Sequence, residues 1–530
     1  MSISKTRCIR LRTSVLVLVT AVAAMTLPAA LATPTGAAGP KKAKPDLNAV
    51  LRQGAALTTV QGGSPFDLDP AKADYLHMPW LRPLYDTLLH QAADGSLEPG
   101  LASVWKIVDD QTVDLTLRKG VKFQDGEPLT GDAVKQSFEH KQANPLGRDA
   151  TAWQKLESVE ATGDLAVRVH LKAPVAGAFL DVIASTPQGM VVSPKALATG
   201  DVSAHPVGAG PYKFESYEKE QRLVLRKFDG YWNAKAYKFA GLEFVNTPAG
   251  DPNVGLNMML ADTVDLLTLA QAQVEAVEAR PGFSVTVRPS MDNLFYVTVC
   301  HTTAPFNKPK VRQALQFALD RKALSDFLTG GTGTVAYMAW PKGSQFYFPD
   351  IAKRWRYDPK RARQLLDQAG VPKHFQFDMI SPIGVGLERL AEVVKDQLQK
   401  VGLDANLIQS NNIPVDLYMN NKAPVFVSLS PFTGVERLVQ RFSPTSLGNW
   451  CHYNDPRLNA VIEKIAAGPK TQDEARQLWK QAEEMVADFG APIYLFFSSL
   501  YAAHTDKLVG LNHIYPLGEG FDLEGVSLTK

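Results

Sequence analysis

Cysteine is scarce in this chain, which carries 3 among 530 residues. Cys8 lies near the N-terminus, so Cys300 and Cys451 are the two that could pair in the body of the protein. Two cysteines are too few for a disulfide framework or for a zinc site made of four thiolates. The histidines are scattered singly, without a pair at the spacing of helical metal ligands. The sequence therefore predicts no bound metal.

The motifs of common catalytic centres are also missing. There is no Gly-x-Ser-x-Gly elbow, no phosphate loop ending in Gly-Lys-Ser/Thr, no His-Glu-x-x-His and no Cys-x-x-Cys. Cys451 and His452 are adjacent, and adjacent residues of a strand point to opposite faces, which makes them a poor nucleophile and base. We expect a protein that is not an enzyme and uses no cofactor, with an exported hydrolase as the alternative.

Long apolar runs are absent after the N-terminus, where residues 15–27 form a short one. Four basic residues precede this run and Ala30-Leu-Ala32 follows it, which is the pattern of a secretory signal cleaved after Ala32. The run is shorter than the roughly 20 residues that span a bilayer, and an uncleaved anchor is the alternative. We predict a signal peptide over residues 1–32, export to the periplasm and a flexible lead-in over residues 33–45.

Neither sign of charge is in large excess. The whole chain holds 56 basic and 54 acidic residues, for a formal charge of +2. The predicted signal contains four basic residues and no acidic one, so its removal changes the formal charge to −2. A near-neutral chain lacks the basic face that phosphate neutralisation requires, so nucleic acid is not an expected partner.

The least ordinary part of the sequence is the run Pro206–Tyr217, which is followed by Arg222–Trp232. Gly208 and Gly210 are expected to adopt positive φ in a tight turn that leads into a strand. Leucines at positions 223 and 225 lie on one face of the second run, and its end is rich in aromatic residues. The pattern predicts a β-hairpin in the core.

This stretch resembles the Gly-x-Gly-Pro-Tyr and Phe-x-x-Tyr-Trp segments of family 5 solute-binding proteins, which serve ABC importers of oligopeptides, dipeptides and nickel. Further blocks that resemble the family in the same order are Leu97–Trp105, Leu117–Val134, Pro305–Arg321 and Ala491–Phe496. The resemblance implies a monomer that binds a small molecule or a peptide and delivers it to ABC permease subunits in the inner membrane.

Hydrophobic periodicity predicts a mixed α/β chain, with an irregular α+β first part and αβ units later. Strands are expected at 56–60, 110–117, 165–171, 295–299, 403–407 and 492–500. Helices are expected to start at Thr130, to run from Pro309 to Leu328 as one helix, to start at Asp358-Pro359, to cover residues 387–401 and to start at the capping box of Thr471.

The resemblance implies a bilobal fold of the periplasmic-binding-protein type, with an extra domain inserted in the N-terminal lobe. On that basis residues 46–85, 206–285 and 498–530 form lobe I, residues 86–205 form the inserted domain and residues 286–497 form lobe II. Cys300 and Cys451 both fall in lobe II, and an oxidising compartment would let them pair if their Cα atoms lie within about 7 Å.

In peptide-binding members of the family an aspartate holds the amino terminus of the ligand. The stretch that resembles its surroundings is Val427–Glu436, where Ser430, Thr433 or Gly434 replaces the acid. In dipeptide binders an arginine holds the carboxylate, and the matching stretch, Ser381–Gly386, contains no arginine. After a shift of a few residues, the acid and the base nearest to these stretches could substitute, namely Glu436 and Arg389.

A buried ammonium or carboxylate without an opposite charge costs several kcal/mol. The ligand is therefore expected to be neutral or aromatic and not an ordinary dipeptide, with a peptide ligand as the alternative. The candidate pocket residues are polar or aromatic, and each competes with an interpretation as a core residue. They are Ser64, Tyr75, His77, Trp80, Trp340, Ser430, Phe432, Thr433 and Trp450.

Overall fold

A computed structural model describes residues 44–55, 57, 66–73, 77–92, 96–144, 153–247, 252–383, 386–430, 434–469, 471–511 and 520–530. The predicted signal segment and most of the predicted lead-in lie outside these residues. Within the described ranges, no helix is both long enough and apolar enough to cross a membrane.

The described residues form strands β1 to β19. In chain order they are β1 (Val50–Ala55), β2 (Leu89–Gln91), β3 (Leu97–Pro99), β4 (Ala102–Asp109), β5 (Thr112–Leu117), β6 (Leu156–Gly163), β7 (Ala166–Leu171), β8 (Tyr212–Glu218), β9 (Arg222–Lys227), β10 (Gly241–Asn246), β11 (Leu266–Leu269), β12 (Phe283–Val299), β13 (Thr334–Val335), β14 (Phe375–Pro382), β15 (Leu403–Ser410), β16 (Val425–Ser430), β17 (Ile493–Thr505), β18 (Leu508–Val509) and β19 (Ser527–Leu528).

The helices cover the faces of the sheets. They are α1 (Met78–Tyr85), α2 (Gly131–Ala143), α3 (Ala176–Ser185), α4 (Pro194–Thr199), α5 (Pro252–Leu260), α6 (Val274–Glu278), α7 (Pro309–Ala318), α8 (Arg321–Thr329), α9 (Pro349–Ala352), α10 (Pro359–Gln368), α11 (Leu387–Gln399), α12 (Glu436–Phe442), α13 (Pro456–Ala467) and α14 (Gln472–Phe489). A π-helical turn, Pro414–Met419, precedes β16.

One 11-stranded sheet runs through both predicted lobes in the order β15-β14-β16-β12-β17-β11-β1-β10-β9-β8, with β13 attached to β17. Its long central strands, β12 with 17 residues and β17 with 13, pair antiparallel. The register of this pair shifts between Pro289 and Leu294. The two halves of the sheet are therefore joined through β12 and β17, and the strand predicted at 492–500 is confirmed as part of β17.

A separate antiparallel sheet, in the order β4-β5-β7-β6, belongs to the predicted inserted domain. The strands predicted at 110–117 and 165–171 are confirmed as β5 and β7, and alternate residues of both face a core that includes Phe123 and Trp153. The chain enters and leaves this region side by side. Thr87 pairs with Met190 in an isolated bridge, and the Leu88 N–H donates to the Gly189 carbonyl at 2.9 Å.

The helix starts predicted from capping residues are confirmed. The side chain of Thr130 accepts the N–H of Ala133 at the start of α2, and that of Thr471 accepts the N–H of Glu474 at the start of α14. Asp358 caps α10 in the same way, with Pro359 in its first turn. In each cap the side chain and the N–H group that it accepts are three positions apart in the sequence. Neighbouring residues alone therefore determine where these helices start.

The prediction of one helix from Pro309 to Leu328 is wrong. The chain leaves the helical conformation at Leu319, and the Asp320 side chain accepts the N–H of Ala323 to start a second helix. An aspartate competes for backbone N–H groups in this way, which favours a cap over a helix interior. The predicted end is confirmed, because Gly330 follows α8 in the left-handed conformation.

The first strand of the chain does not begin at residue 56, as the sequence predicted, but at residue 50. The first strand is β1, which ends at Ala55 and pairs parallel with β10 from Val50↔Gly241 to Ala55↔Asn246. Leu57 belongs to no strand, and the rest of the predicted segment lies outside the described residues. The position of the strand is determined by the ladder with β10, which satisfies the backbone hydrogen-bonding groups of residues 50–55. Because β10 is distant in the sequence, the residues around β1 do not reveal this pairing.

The predicted hairpin is confirmed as β8 paired with β9, but its glycines have a different role. Neither Gly208 nor Gly210 has the predicted positive φ. A Cβ on Gly208 would lie 2.5 Å from the Leu84 carbonyl oxygen, and one on Gly210 would lie 2.4 Å from that of Pro83. Glycine is therefore needed for close approach to the backbone of α1, not for its torsion angles.

The aromatic end of the hairpin surrounds a buried carboxylate. The Tyr231 hydroxyl donates to Asp86 Oδ2 at 2.7 Å and the Trp232 indole N–H does so at 3.2 Å. His90 Nε2 lies 2.6 Å from Oδ1 of the same residue. Burial raises the pKa of Asp86, but His90 and the Tyr231 hydrogen bond lower it further, to about 2. The group has all its partners within the fold and we assign it a structural role.

Candidate functional site

Four of the predicted pocket residues lie outside the described part of the chain. They are Ser64, Tyr75, Phe432 and Thr433. Their placement at a ligand stays a prediction.

His77 and Trp80 lie together in the core of the predicted lobe I. His77 precedes α1 and its ring centroid is 5.5 Å from that of Trp80, whose other neighbour is Phe66 at 5.3 Å. The Trp80 side chain belongs to the same hydrophobic cluster as Leu51 and Tyr212. Its buried indole N–H has no hydrogen-bond partner in the described residues.

Trp340 lies in a different cluster, in the predicted lobe II. Its ring centroid is 5.0 Å from that of Trp479 on α14 and 4.9 Å from that of Phe346. Both Trp340 and Trp479 are buried among residues of α12, α13 and α14. This environment is that of a core residue.

Trp450 lies in a third cluster, beside a disulfide between Cys300 and Cys451. The Cα atoms of the two cysteines are 5.3 Å apart, within the range predicted for pairing. Because Cys451 is bonded to Cys300, it offers no free thiol to His452, which is exposed. The three predicted tryptophans are thus distributed over three clusters and are not gathered in one place.

The predicted inserted domain touches the predicted lobe II through α3. A Cβ on Gly177 would lie 2.6 Å from the Cα of Gly468, which follows α13. A Cβ on Gly468 would lie 2.5 Å from Cδ1 of Ile107 on β4. Val175 and Ala178 pack on the cluster of α13 and α14. We call this surface, formed by Ile107, Val175, Gly177, Ala178 and Gly468, the interlobe contact.

Asp181 continues the face of α3 that begins with Val175 and Ala178, because residues three apart lie on one side of a helix. Its Oδ2 is 3.3 Å from the position that a Cβ of Gly434 would occupy. The carboxylate is partly buried and forms no hydrogen bond or ion pair within the described residues. Loss of water without a compensating partner raises the pKa of Asp181 to about 7.

Sequence reasoning missed Asp181 although it carried a signal. The segment that forms α3 is apolar apart from this residue and Ser185. A single acid in an apolar helix is either paired across a contact or left for a ligand. Its neighbour Gly434 belongs to the stretch that resembles the aspartate site of the family, but 253 positions separate the two residues in the sequence.

The stretch that contains Gly434 offers a second acid. Ser430 ends β16, is buried and lies opposite Leu294 in the ladder with β12. Glu436 starts α12, and its Oε1 accepts a hydrogen bond from Gln440 Nε2 at 2.7 Å. Burial raises the pKa of Glu436, while Gln440 and the nearby charge of Lys155 lower it. Glu436 is therefore partly satisfied within the fold, in contrast to Asp181.

Two arginines near the stretches that resemble the peptide-binding sites, Arg389 and Arg441, contact aromatic rings of the fold. Arg389, the predicted substitute for the missing arginine, is exposed and lies over the Phe327 ring at 5.1 Å. Arg441 lies between the rings of Tyr296 and Phe426 and donates to the Gly448 carbonyl at 3.2 Å. Stacking inside the lobe holds that guanidinium in place.

Comparison with known proteins gives a consistent result. The profile described as "Bacterial extracellular solute-binding proteins, family 5 Middle" matches residues 96–430. The glutathione-binding protein GsiB of Salmonella paratyphi A is 27% identical over 482 residues, which cover 86% of this chain and 91% of that protein. The glutathione-binding protein GsiB of Escherichia coli O1:K1 is 28% identical over 484 residues, which cover 87% of this chain and 92% of that protein.

Solved structures share the fold. The ABC transporter substrate-binding protein CtaP of Listeria monocytogenes has a TM-score of 0.78 at 20% identity and covers 91% of this chain and 100% of its own. NikA of Brucella suis, in complex with Fe(III)-EDTA, has a TM-score of 0.75 at 19% identity and covers 90% of this chain and 100% of its own. At this level of identity the likeness shows the bilobal fold and leaves the ligand open.

Proposed function

Because this chain belongs to the bacterial extracellular solute-binding proteins of family 5, which work with ABC importers, we propose that it captures a small solute that is not an ordinary zwitterionic peptide. The solute is held between two lobes and passed to permease subunits in the membrane. Proteins of this family are periplasmic, and we propose that the chain reaches the periplasm after cleavage at Ala32 and acts there as a monomer.

The observation that carries the ligand class concerns the two stretches where peptide binders of the family hold charges. Residues 430–434 contain no acid and residues 381–386 contain no arginine. Of the two substitutes, Glu436 is bonded to Gln440, and Arg389 is on the surface over a phenyl ring. A zwitterionic peptide needs both charges compensated once water is excluded, and a neutral or aromatic solute does not.

The curated relatives are named for glutathione, a peptide with one ammonium and two carboxylates. We expect this chain to bind it weakly or not at all, because sequences that are about 27% identical can differ at every ligand contact. Glutathione is therefore the first peptide to test.

The proposed division follows the predicted boundaries, with lobe I and lobe II along the 11-stranded sheet and the inserted domain on its own four-stranded sheet. The pairing of β12 with β17 supports a hinge between the lobes, since these are the strands that join the two halves of the sheet. The pocket then lies between the lobes, bordered by His77 and Trp80 on one side and by Ser430 on the other.

Calorimetric titration of the protein from residue 33 onward tests this proposal. The titrants are glutathione, a mixture of dipeptides, aromatic acids, aromatic amines and neutral aromatic solutes. We expect binding by members of the aromatic series and none by the dipeptides. Micromolar binding of simple dipeptides would show that the ligand class is wrong, while leaving the role in import intact. A hydrolase would convert a titrant to product, which mass spectrometry of the same samples detects.

A further inference from the structure

One carboxylate at the interlobe contact, that of Asp181, has no hydrogen-bond or ion-pair partner among the described residues. The Asp181 carboxylate faces Gly434 across the contact between α3 and the segment that precedes α12, with 3.3 Å from its Oδ2 to the position of a Cβ there. A side chain at position 434 would fill this space. Because residue 434 is glycine, with φ of 55°, no side chain at this position lies against the carboxylate.

The ionisable groups on neighbouring elements do not compensate Asp181. On the elements that pack against α3, they are His90 on β2, Lys106 and Asp109 on β4, and Arg457, Glu463 and Lys464 on α13. His90 is bonded to Asp86, Arg457 is bonded to Asp455, and Asp181 forms no ion pair with any of them. Glu436 and Lys155, near the start of α12, interact with each other and not with Asp181.

An uncompensated carboxylate at a closing surface is costly unless a cation arrives with the ligand. Burying an ionised carboxylate costs several kcal/mol, and buried polar groups in folded proteins nearly always find a partner. A metal ion is a poor candidate, since the described residues contain no group of three or more His, Cys, Asp or Glu side chains that could hold one. An ammonium group needs a single carboxylate and a few oxygen acceptors.

We propose that Asp181 binds the ammonium group of the solute and that the solute is an aromatic amine without a carboxylate. This inference rests on the proposed function and narrows its ligand class. The acid comes from the inserted domain, so the ligand would contact the inserted domain and lobe II together. Closure on the amine would place its charge against Asp181 and its ring against the apolar parts of the cleft.

Paired probes test this assignment. Aromatic amines such as 2-phenylethylamine, tyramine and tryptamine are each compared with their N-acetyl derivatives, which keep the ring and lose the charge. Affinities are measured by calorimetry and melting shifts for the wild type and for D181N. The control is E139Q, which neutralises an exposed acid on α2 of the same predicted domain.

We expect at least one amine to bind the wild type and E139Q equally, its N-acetyl derivative to bind far more weakly, and D181N to lose about 30-fold or more in affinity for the amine. Equal affinity of D181N and wild type for the amine overturns the inference, as does failure of every amine to bind. If the N-acetyl compounds bind the wild type as tightly as the amines do, the inference is wrong while the proposed aromatic ligand class stands. If dipeptides bind instead, the ligand class itself is wrong.

Discussion

Gly177 and Gly468 meet backbone to backbone, since a Cβ on the first would lie 2.6 Å from the Cα of the second. Real Cβ atoms do not approach other carbon atoms so closely. The predicted inserted domain can therefore reach the predicted lobe II at this point only because both residues are glycine. The contact joins the predicted inserted domain to the predicted lobe II at a place separate from the pairing of β12 with β17.

Substitution of Gly177 tests whether this contact closes in solution. We expect G177L to hold α3 away from Gly468 and to disfavour the closed contact by about 1–3 kcal/mol, the usual cost of overpacking. Small-angle scattering should then show a larger radius of gyration for the variant than for the wild type under conditions that close the lobes. The control is G163L, where an added Cβ meets only Ala166 at 3.6 Å. Identical scattering of all three proteins would contradict a closing role.

The unpaired carboxylate of Asp181 should make stability depend on pH. Its pKa is raised to about 7 in the folded protein from an ordinary value of 3.8, so the folded state binds more protons than the unfolded state between these values. Stability contributed by this group is therefore lost as the pH rises from about 4 to 7. We expect D181N to be more stable than the wild type by about 1–3 kcal/mol at pH 8 and equal to it near pH 4. Urea unfolding at both pH values checks this, and E139Q should show no such difference.

The glycines that precede β8, Gly208 and Gly210, should not tolerate a methyl group. G210A places a Cβ 2.4 Å from the Pro83 carbonyl oxygen, and the backbone of α1 must move to accept it. We expect a loss of about 1–3 kcal/mol in the free energy of unfolding, measured with urea. G163A is the control, since it adds the same methyl group without a close contact. If G210A is as stable as G163A, the backbone of α1 can move to accept the methyl group at little cost in free energy, and the prediction is wrong.

The disulfide should be detectable by alkylation and mass measurement, and its removal should lower the free energy of unfolding. Unreduced protein should take up no alkylating agent at Cys300 or Cys451, and reduction should expose both thiols to it. The cysteines are 151 positions apart, so removal of the bond in C300A/C451A should cost about 2–5 kcal/mol. Two alkylated thiols on the unreduced protein would contradict the pairing.

The sequence allowed prediction of features decided by neighbouring residues. The caps at Thr130, Asp358 and Thr471 were predicted correctly because a side chain and the N–H groups it accepts lie within a few positions. The break at Leu319 was missed because the apolar spacing continued through it, although Asp320 offered a competing cap. The strand at β1 was misplaced because its partner, β10, lies far along the chain.

The candidate site was harder to predict because it depends on distant segments. The apolar pattern of α3 identifies its buried face but not what that face meets. Only the fold brings Asp181 beside Gly434 and Gly177 beside Gly468. The predicted aromatic pocket residues pose a different difficulty, because aromatic side chains suit a hydrophobic core and a ligand pocket equally well. The structure places Trp340 and Trp450 in separate clusters of the predicted lobe II, and their placement at a ligand stays a prediction.

The bridge between Thr87 and Met190 has a further consequence for how this chain could be cut and rejoined. Since the chain leaves the predicted lobe I and returns to it through adjacent positions, the residues between them form a segment that starts and ends at one point. A short turn joining position 87 to position 190 would leave the 11-stranded sheet without a gap, because none of its strands lies between them. We expect the shortened chain to fold as a two-lobed protein without the interlobe contact, and the excised piece, with its own sheet and core, to be a candidate for transplantation into another scaffold.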